Sequence, residues 1–161
     1  DHMQISLLNV DESRINYDLI EGILEHMHKE GTFDPSGQGK GSVLVFLPGL
    51  AEISRAVDRV SELSQSGRAG ALWPVPVHGS LSPADQQKVF QPPPKGARKV
   101  VLATNICETS ITIDDCVAVI DTGRAREMYF DHAAGLSRLT DVWIARAAAT
   151  QRAGRAGRVR A

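Results

Sequence analysis

The chain has 161 residues, of which 42% are hydrophobic and 23% charged, and its formal net charge is −1. This length and composition suit one soluble globular domain, and the near-zero charge excludes binding of nucleic acid through an overall basic field. We expect neither a membrane span nor secretion, because no apolar run approaches about 18 residues and no signal peptide is evident.

The two ends of the chain carry opposite charge. Residues 1–30 carry seven acidic and two basic side chains, whereas residues 124–161 carry eight arginines and three acidic side chains. Arginines favour bidentate contacts with phosphate or carboxylate, although a solvated face is the commoner explanation.

Cys107 and Cys116 form no disulfide framework or zinc-ligand pattern. We therefore expect buried, reduced thiols, no metal site and an intracellular protein, cytoplasmic or nuclear.

The first half of the chain predicts two helices around a strand. After the N-cap candidate Asn16, apolar residues at helical spacing predict an amphipathic helix, followed by a loop over residues 31–41. The apolar run Ser42–Leu47 predicts a buried strand, and a second helix follows from about Leu50 to Gln65.

The second half continues the alternation of strands and helices. Residues 73–78 are a strand candidate whose two prolines favour an edge position, and Ser82 caps a helix that runs to Phe90. Residues 99–104 and 116–123 are two further apolar strands with a short helix between them. This alternation predicts a parallel sheet covered by helices on both faces.

The C-terminal quarter departs from that rhythm. Two β-prone runs flank a small turn at His132–Gly135, which predicts a β-hairpin appended to the sheet. A final helix is predicted from Ala145 to about Gln151. The glycine-rich stretch "GQGKGS", Gly37 to Ser42, is not a phosphate loop, because Gly41 follows the lysine and the stretch precedes a strand.

Two polar segments are candidate binding sites. Short polar side chains crowd residues 103–114, at the carboxyl end of a strand, where open α/β sheets bind ligands. A capped polar connection is the alternative. In "QRAGRAGR", residues 151–158, arginines recur every three residues, so Arg155 and Arg158 can reach one anion. A solvated helix end is the alternative, but two internal glycines cost about 2 kcal/mol relative to alanine, which solubility does not require.

Three stretches together carry a specific resemblance. They are "VLVFLPGLAEI" (43–53), residues 77–123 with "ATNICETSITID", and "QRAGRAGR". In order and spacing they resemble motifs IV, V and VI of the second RecA-like domain of DEAH/RHA helicases. The Leu-Pro-Gly sequence at residues 47–49, after the first strand, is similar to that of the RHA-like branch of the family. The similarity covers roughly residues 15–161. Cys107 departs from the alanine usual in the family.

The resemblance implies a fold and a domain organisation. The fold is an α/β RecA-like three-layer sandwich, with a mostly parallel sheet, helices on both faces and an appended hairpin at about 127–144. Residues 1–14 are expected to be a tag remnant and lead-in, since Asp1-His2-Met3 is typical of an expression tag. Residues 15–161 are the domain, excised from a larger chain.

The resemblance also implies a role toward ATP. The nucleotide lies between two lobes, and the missing first lobe supplies the phosphate loop and the Mg²⁺ ligands. Arg155 and Arg158 correspond to arginine fingers, and Gln151 to the residue that positions the attacking water or the γ-phosphate. The residues expected to bind the nucleotide are Phe90 at the base, Asp114 at the ribose, the state-sensing Ser110, and Thr112. By helix position alone, Phe90 is a core residue.

The remaining implied contacts are with RNA. They come from Thr104 and Asn105, and from the loop of His78, Gly79 and Ser80; packing of His78 is the alternative. The hairpin resembles the element at which strands separate, or else docks on missing domains. The implied protein is a 3′ to 5′ ATP-dependent RNA helicase whose first lobe and C-terminal accessory domains contact this domain, which is inactive alone. An inactive RNA-binding scaffold and an unrelated phosphate-binding domain are the alternatives.

Overall fold

The computed structural model of the protein describes residues 10–31 and 41–156. The elements within these ranges are α1 (Tyr17–Glu30), β1 (Ser42–Phe46), α2 (Leu50–Ser66), β2 (Leu72–Val77), α3 (Pro83–Gln86), a 3-10 turn (Gln87–Phe90), β3 (Arg98–Ala103), α4 (Ile106–Thr109), β4 (Cys116–Asp121), β5 (Arg124–Asp131), β6 (Leu136–Trp143) and α5 (Arg146–Ala153). Most of the predicted loop 31–41 and of the "GQGKGS" stretch lies outside the described residues.

Four parallel strands form the sheet, in the order β2-β3-β1-β4. Ala103 is level with Val77 on one side and with Phe46 on the other, and Phe46 is level with Asp121. All four strands therefore end at one border of the sheet. We call this border the carboxyl edge, and the border at which the strands begin the amino edge.

The two prolines of β2 explain its place in the sheet. Pro74 is level with Val100 and Pro76 with Leu102 of β3, and no strand of the described ranges pairs with the other side of β2. Because proline has no N–H to donate to a ladder, a strand with two prolines is tolerated at an edge. The predicted edge position is confirmed.

Alternate residues of β1 face two separate apolar cores. Val43 and Val45 face one side of the sheet and pack against α1 and α2. Leu44 and Phe46 face the opposite side and pack against the 3-10 turn and α4. A strand buried on both faces reads as a continuous apolar run, which is why this run predicts a central strand. The layers are helix, sheet and helix, as expected.

Side-chain caps begin two helices where the sequence predicts them. The side chain of Asn16 accepts a hydrogen bond from the backbone N–H of Leu19, and Ser82 accepts one from Asp85. The helix predicted up to Phe90 changes to a 3-10 turn after Gln86. Among the described residues, none of the helices combines the length and the apolar character needed to cross a bilayer.

The hairpin forms its own antiparallel sheet of β5 and β6. It starts at Arg124, slightly before the predicted 127, and its turn is at the predicted residues 132–135. Arg126 joins it to the rest of the domain by donating to Glu52 of α2 at 3.0 Å, and it also donates to Asp141 within the hairpin at 2.6 Å. A Cβ at Gly49 would collide with this guanidinium, so the Leu-Pro-Gly glycine leaves room for the hairpin to dock.

Candidate functional site

Arg155 contacts the segment that precedes β4. Its Nη1 donates to Oγ1 of Thr112 at 3.5 Å, and both side chains are half-buried. Ser110 and Asp114, on either side of Thr112, are exposed. The fold therefore brings one predicted finger into contact with Thr112, one of the residues expected to contact nucleotide.

The guanidinium of Arg155 has donors to spare. Its Nε is buried and has no hydrogen-bond partner among the described residues. An unpaired buried donor costs about 1–3 kcal/mol, so this side chain is held in a state that an anionic partner would stabilise. Arginine is suited to such a partner, because its planar fork matches the oxygens of phosphate.

The other residues of the arginine cluster are placed differently. Gln151 is exposed on α5, one turn before Arg155. Arg158 lies outside the described residues, so its predicted role as a second finger stays a prediction.

Arg152 is the residue of this cluster that the sequence did not single out. Its side chain is fully buried and donates to Glu108 of α4 at 2.6 Å and to Asp121 of β4 at 2.8 Å. Its guanidinium carbon also lies 4.5 Å from the ring centroid of Phe46. Arg152 therefore fixes α5 to the sheet, and in doing so sets the position of Arg155.

Phe90 is half-exposed rather than a core residue. It ends the 3-10 turn, and its neighbour Val89 is buried in its place. The interpretation from helix position alone is therefore wrong. An exposed aromatic ring is available to stack on a base, as the resemblance implies.

Five predicted RNA-contacting residues gather at the carboxyl edge. His78, Gly79 and Ser80 follow β2, while Thr104 and Asn105 follow β3, and the N–H of Thr104 donates to the carbonyl of Val77 at 3.2 Å. Gly79, Ser80 and Asn105 are exposed. His78 is half-buried, and its buried Nδ1 has no hydrogen-bond partner in the described part of the chain. The loops after β2 and β3 are therefore neighbours, and each exposes polar groups.

The polar stretch 103–114 does not form one binding segment at the carboxyl edge. Thr104 and Asn105 lie there, but Asp114 lies at the amino edge, immediately before Asp115 and the start of β4. The physical reason is that β3 and β4 are parallel, so their connection must cross the sheet face from one edge to the other. The stretch therefore contributes to two separate places, with Thr104 and Asn105 at the carboxyl edge and Asp114 at the amino edge.

Both cysteines are buried, as predicted. Burial raises the pKa of the Cys107 thiol to about 12, against the opposing effect of the Arg155 charge, and raises the pKa of Cys116 to about 11. The Cys107 side chain belongs to the apolar core beneath α4. The departure from alanine therefore fills core space and does not expose a thiol at the polar surface.

Comparisons with known proteins identify similar domains. The helicase conserved C-terminal domain family matches residues 18–160. The chloroplastic DExH-box ATP-dependent RNA helicase DExH4 of Arabidopsis thaliana is 41% identical over 96% of this chain and 10% of its own length. ATP-dependent RNA helicase DHX29 of Homo sapiens is 42% identical over 98% of this chain and 11% of its own.

A solved structure matches the fold as well. The crystal structure of the DExH-box NTPase HrpB of E. coli has a TM-score of 0.70 and 41% identity, covering 91% of this chain and 17% of that one. The chain thus spans about a tenth of the length of the two curated relatives.

Proposed function

This chain belongs to the helicase conserved C-terminal domain family, and on that basis we propose that it is the second motor lobe of an ATP-dependent superfamily 2 RNA helicase. Its relatives DExH4 and DHX29 are named ATP-dependent RNA helicases. The observation that carries the proposal is Arg155, which is held against Thr112 with a buried Nε that lacks a partner among the described residues. A phosphate oxygen would satisfy the donors of this guanidinium.

On the nucleotide side, the chain would bind and orient ATP. Arg155 and Arg158 would neutralise charge on the transferring γ-phosphoryl group, and Gln151 would orient the attacking water. The ring of Phe90 would stack on the base, with Asp114 at the ribose and Ser110 and Thr112 beside the phosphates. Stacking tolerates any base, so we expect weak selectivity among nucleotides.

Magnesium would come with the first lobe. Within residues 10–31 and 41–156, no cluster of three or more His, Cys, Asp or Glu side chains could hold a metal ion. The contribution proposed for this lobe is the arginine, base and ribose contacts. Alone, it would not hydrolyse ATP.

On the RNA side, the carboxyl-edge loops would contact the backbone of a single strand. The backbone N–H of Gly79, the hydroxyl of Ser80 and the amide of Asn105 belong to exposed residues and can donate to phosphate oxygens. Contacts of this kind position a strand without reading its sequence. Closure of the two lobes around ATP, and their release after hydrolysis, would alternate the grip of this surface and produce 3′ to 5′ stepping. The first lobe and the accessory domains would complete the RNA channel.

Unwinding of tailed duplexes by the full-length protein tests this function. We expect ATP-dependent unwinding of an RNA duplex with a 3′ single-stranded tail, and none with a 5′ tail. Asn105→Ala should weaken single-stranded RNA binding about fivefold to tenfold for any sequence, because one contact to a charged phosphate is lost. Stability should be unchanged, since the Asn105 side chain makes no cap hydrogen bond to α4.

Gln65→Ala is the matched control for Asn105→Ala, because Gln65 is an exposed amide far along α2 from the carboxyl edge. It should leave RNA affinity unchanged. Equal unwinding of both tailed duplexes would contradict the stepping direction, and equal RNA affinity of Asn105→Ala and the native protein would remove the carboxyl edge from the RNA site.

A further inference from the structure

Lys99 is a buried lysine at the amino edge of the sheet. It is the second residue of β3, and its side chain is only 3% exposed. Its Nζ donates to the carbonyl of Val89 at 2.8 Å and to that of Gln91 at 3.2 Å, and lies 3.2 Å from Oδ2 of Asp115. A lysine ammonium has three N–H donors, and these three acceptors can use all of them.

Two of the three acceptors are the residues on either side of Phe90. The carbonyls of Val89 and Gln91 both turn toward the Lys99 ammonium, while the intervening side chain of Phe90 is exposed. The backbone is therefore held by hydrogen bonds on both sides of Phe90. Lys99 thus constrains the backbone from which the half-exposed ring projects.

The third acceptor ties the same ammonium to the segment that carries Asp114. Asp115 is itself anchored to the start of β1 by two hydrogen bonds from Ser42. The Ser42 hydroxyl donates to Oδ1 of Asp115 at 3.0 Å, and the Ser42 backbone N–H donates to the backbone carbonyl of Asp115 at 2.8 Å. Asp114 thus precedes a fixed residue. One buried charge connects the turn of Phe90 to the segment of Asp114.

The choice of lysine at this position requires an explanation beyond core packing. The other residues of β3 that follow it, Val100 to Ala103, are all apolar and fully buried. Burial of an ammonium is unfavourable unless it is paired and hydrogen-bonded, so an apolar side chain would fill the same space without that cost. The lysine adds the hydrogen bonds to the carbonyls of Val89 and Gln91 and the ion pair with Asp115, none of which an apolar side chain could make.

We propose that Lys99 is a positioning residue that sets the distance between the Phe90 ring and Asp114, and so holds the base and ribose of the nucleotide in register. The inference rests on the proposed function of Phe90. Lys99 is too deeply buried to touch the nucleotide and acts only through the turn it holds.

Competitive inhibition of ATP hydrolysis in the full-length protein separates this role from a general one. For Lys99→Met, the inhibition constant for ADP should rise about tenfold, because stacking of a base on an aromatic ring accounts for a factor of this order. The inhibition constant for inorganic tripolyphosphate should stay within about twofold, since that probe has no base or ribose to position. A loss of both affinities to the same degree would overturn the proposal.

A double variant tests whether the effect passes through Phe90. Phe90→Ala alone should raise the ADP constant about tenfold, and Lys99→Met added to it should change the constant little further, because the ring to be positioned is already absent. Additive effects would overturn the proposal. Lys95→Met, which removes an exposed lysine from the neighbouring loop, is the matched control and should change neither constant.

The outcomes also distinguish this inference from the function on which it rests. If Phe90→Ala raises the inhibition constant for ADP and Lys99→Met does not, the proposed stacking role of Phe90 is supported and the positioning role of Lys99 is overturned. If Phe90→Ala has no effect, both assignments fail together. Should Lys99→Met not fold, Lys99→Arg keeps a buried charge but displaces the turn with a longer side chain, and the same rise for ADP without a rise for tripolyphosphate is expected.

Discussion

Replacing Arg155 by alanine in the full-length protein is expected to lower the turnover number for ATP hydrolysis by about 10³- to 10⁵-fold, the usual contribution of an arginine finger. The reason is that the guanidinium, held at Thr112 with donors to spare, would stabilise charge that develops on the γ-phosphoryl group in the transition state. RNA affinity should be retained, because the surface we propose for RNA is formed by the loops at the carboxyl edge. Steady-state ATP hydrolysis and RNA binding, measured on the same preparation, check both parts.

Two further variants sharpen the result for Arg155. Arg155→Lys keeps the charge without the planar fork and should recover only a small part of the turnover. Arg146→Ala removes an exposed arginine from the first turn of α5, the helix that precedes Arg155, and should leave turnover within about twofold of the native value, as expected for a surface position. If Arg155→Ala instead lost RNA binding and kept hydrolysis, the arginine would serve nucleic acid rather than ATP.

Replacing Arg152 by methionine is expected to destabilise the domain by about 3 kcal/mol, the lower end of the range for breaking a buried ion pair. Methionine fills similar space, but it leaves the carboxylates of Glu108 and Asp121 without their partner. The lower end applies because both carboxylates keep some exposure to water, 16% and 23%, and can be partly rehydrated. Denaturant unfolding measures the loss directly.

Compensating changes show whether unpaired charge is the cause. Adding Glu108→Gln and Asp121→Asn to Arg152→Met should restore part of the lost stability, because no buried charge is then left without a partner. Arg155→Ala should leave the unfolding midpoint near its native value, since its one described hydrogen bond is long. A stable Arg152→Met variant would show that α5 is held to the sheet by other contacts.

Much of the fold follows from local sequence signals. The β1 run is continuously apolar because both of its faces are buried, and the prolines of β2 predict an edge because they cannot donate to a ladder. Asn16 and Ser82 predict helix starts because their side chains satisfy free N–H groups. The RecA-like α/β sandwich expected from the motifs is confirmed by the sheet order and by the likeness to HrpB.

What the sequence could not provide is the partner of each buried charge. Arg152, Arg155 and Arg158 look alike in a repeat, yet Arg152 is fully buried and pairs with two carboxylates, whereas Arg155 is half-buried and contacts Thr112. Lys99 reads as the polar start of a strand, and its role depends on a turn and a loop that meet it only in three dimensions. A lysine directly before the four apolar residues of a buried strand is the signal that could have identified Lys99.

We expect this chain to work as one half of an RNA-stimulated ATPase. The most direct test is steady-state ATP hydrolysis by the full-length protein, with and without single-stranded RNA, with the isolated chain as the blank. We predict turnover by the full-length protein that RNA increases severalfold, and none by the isolated chain. Full-length protein that binds RNA but hydrolyses no ATP in its presence would contradict this claim and would indicate an RNA-binding module without motor activity.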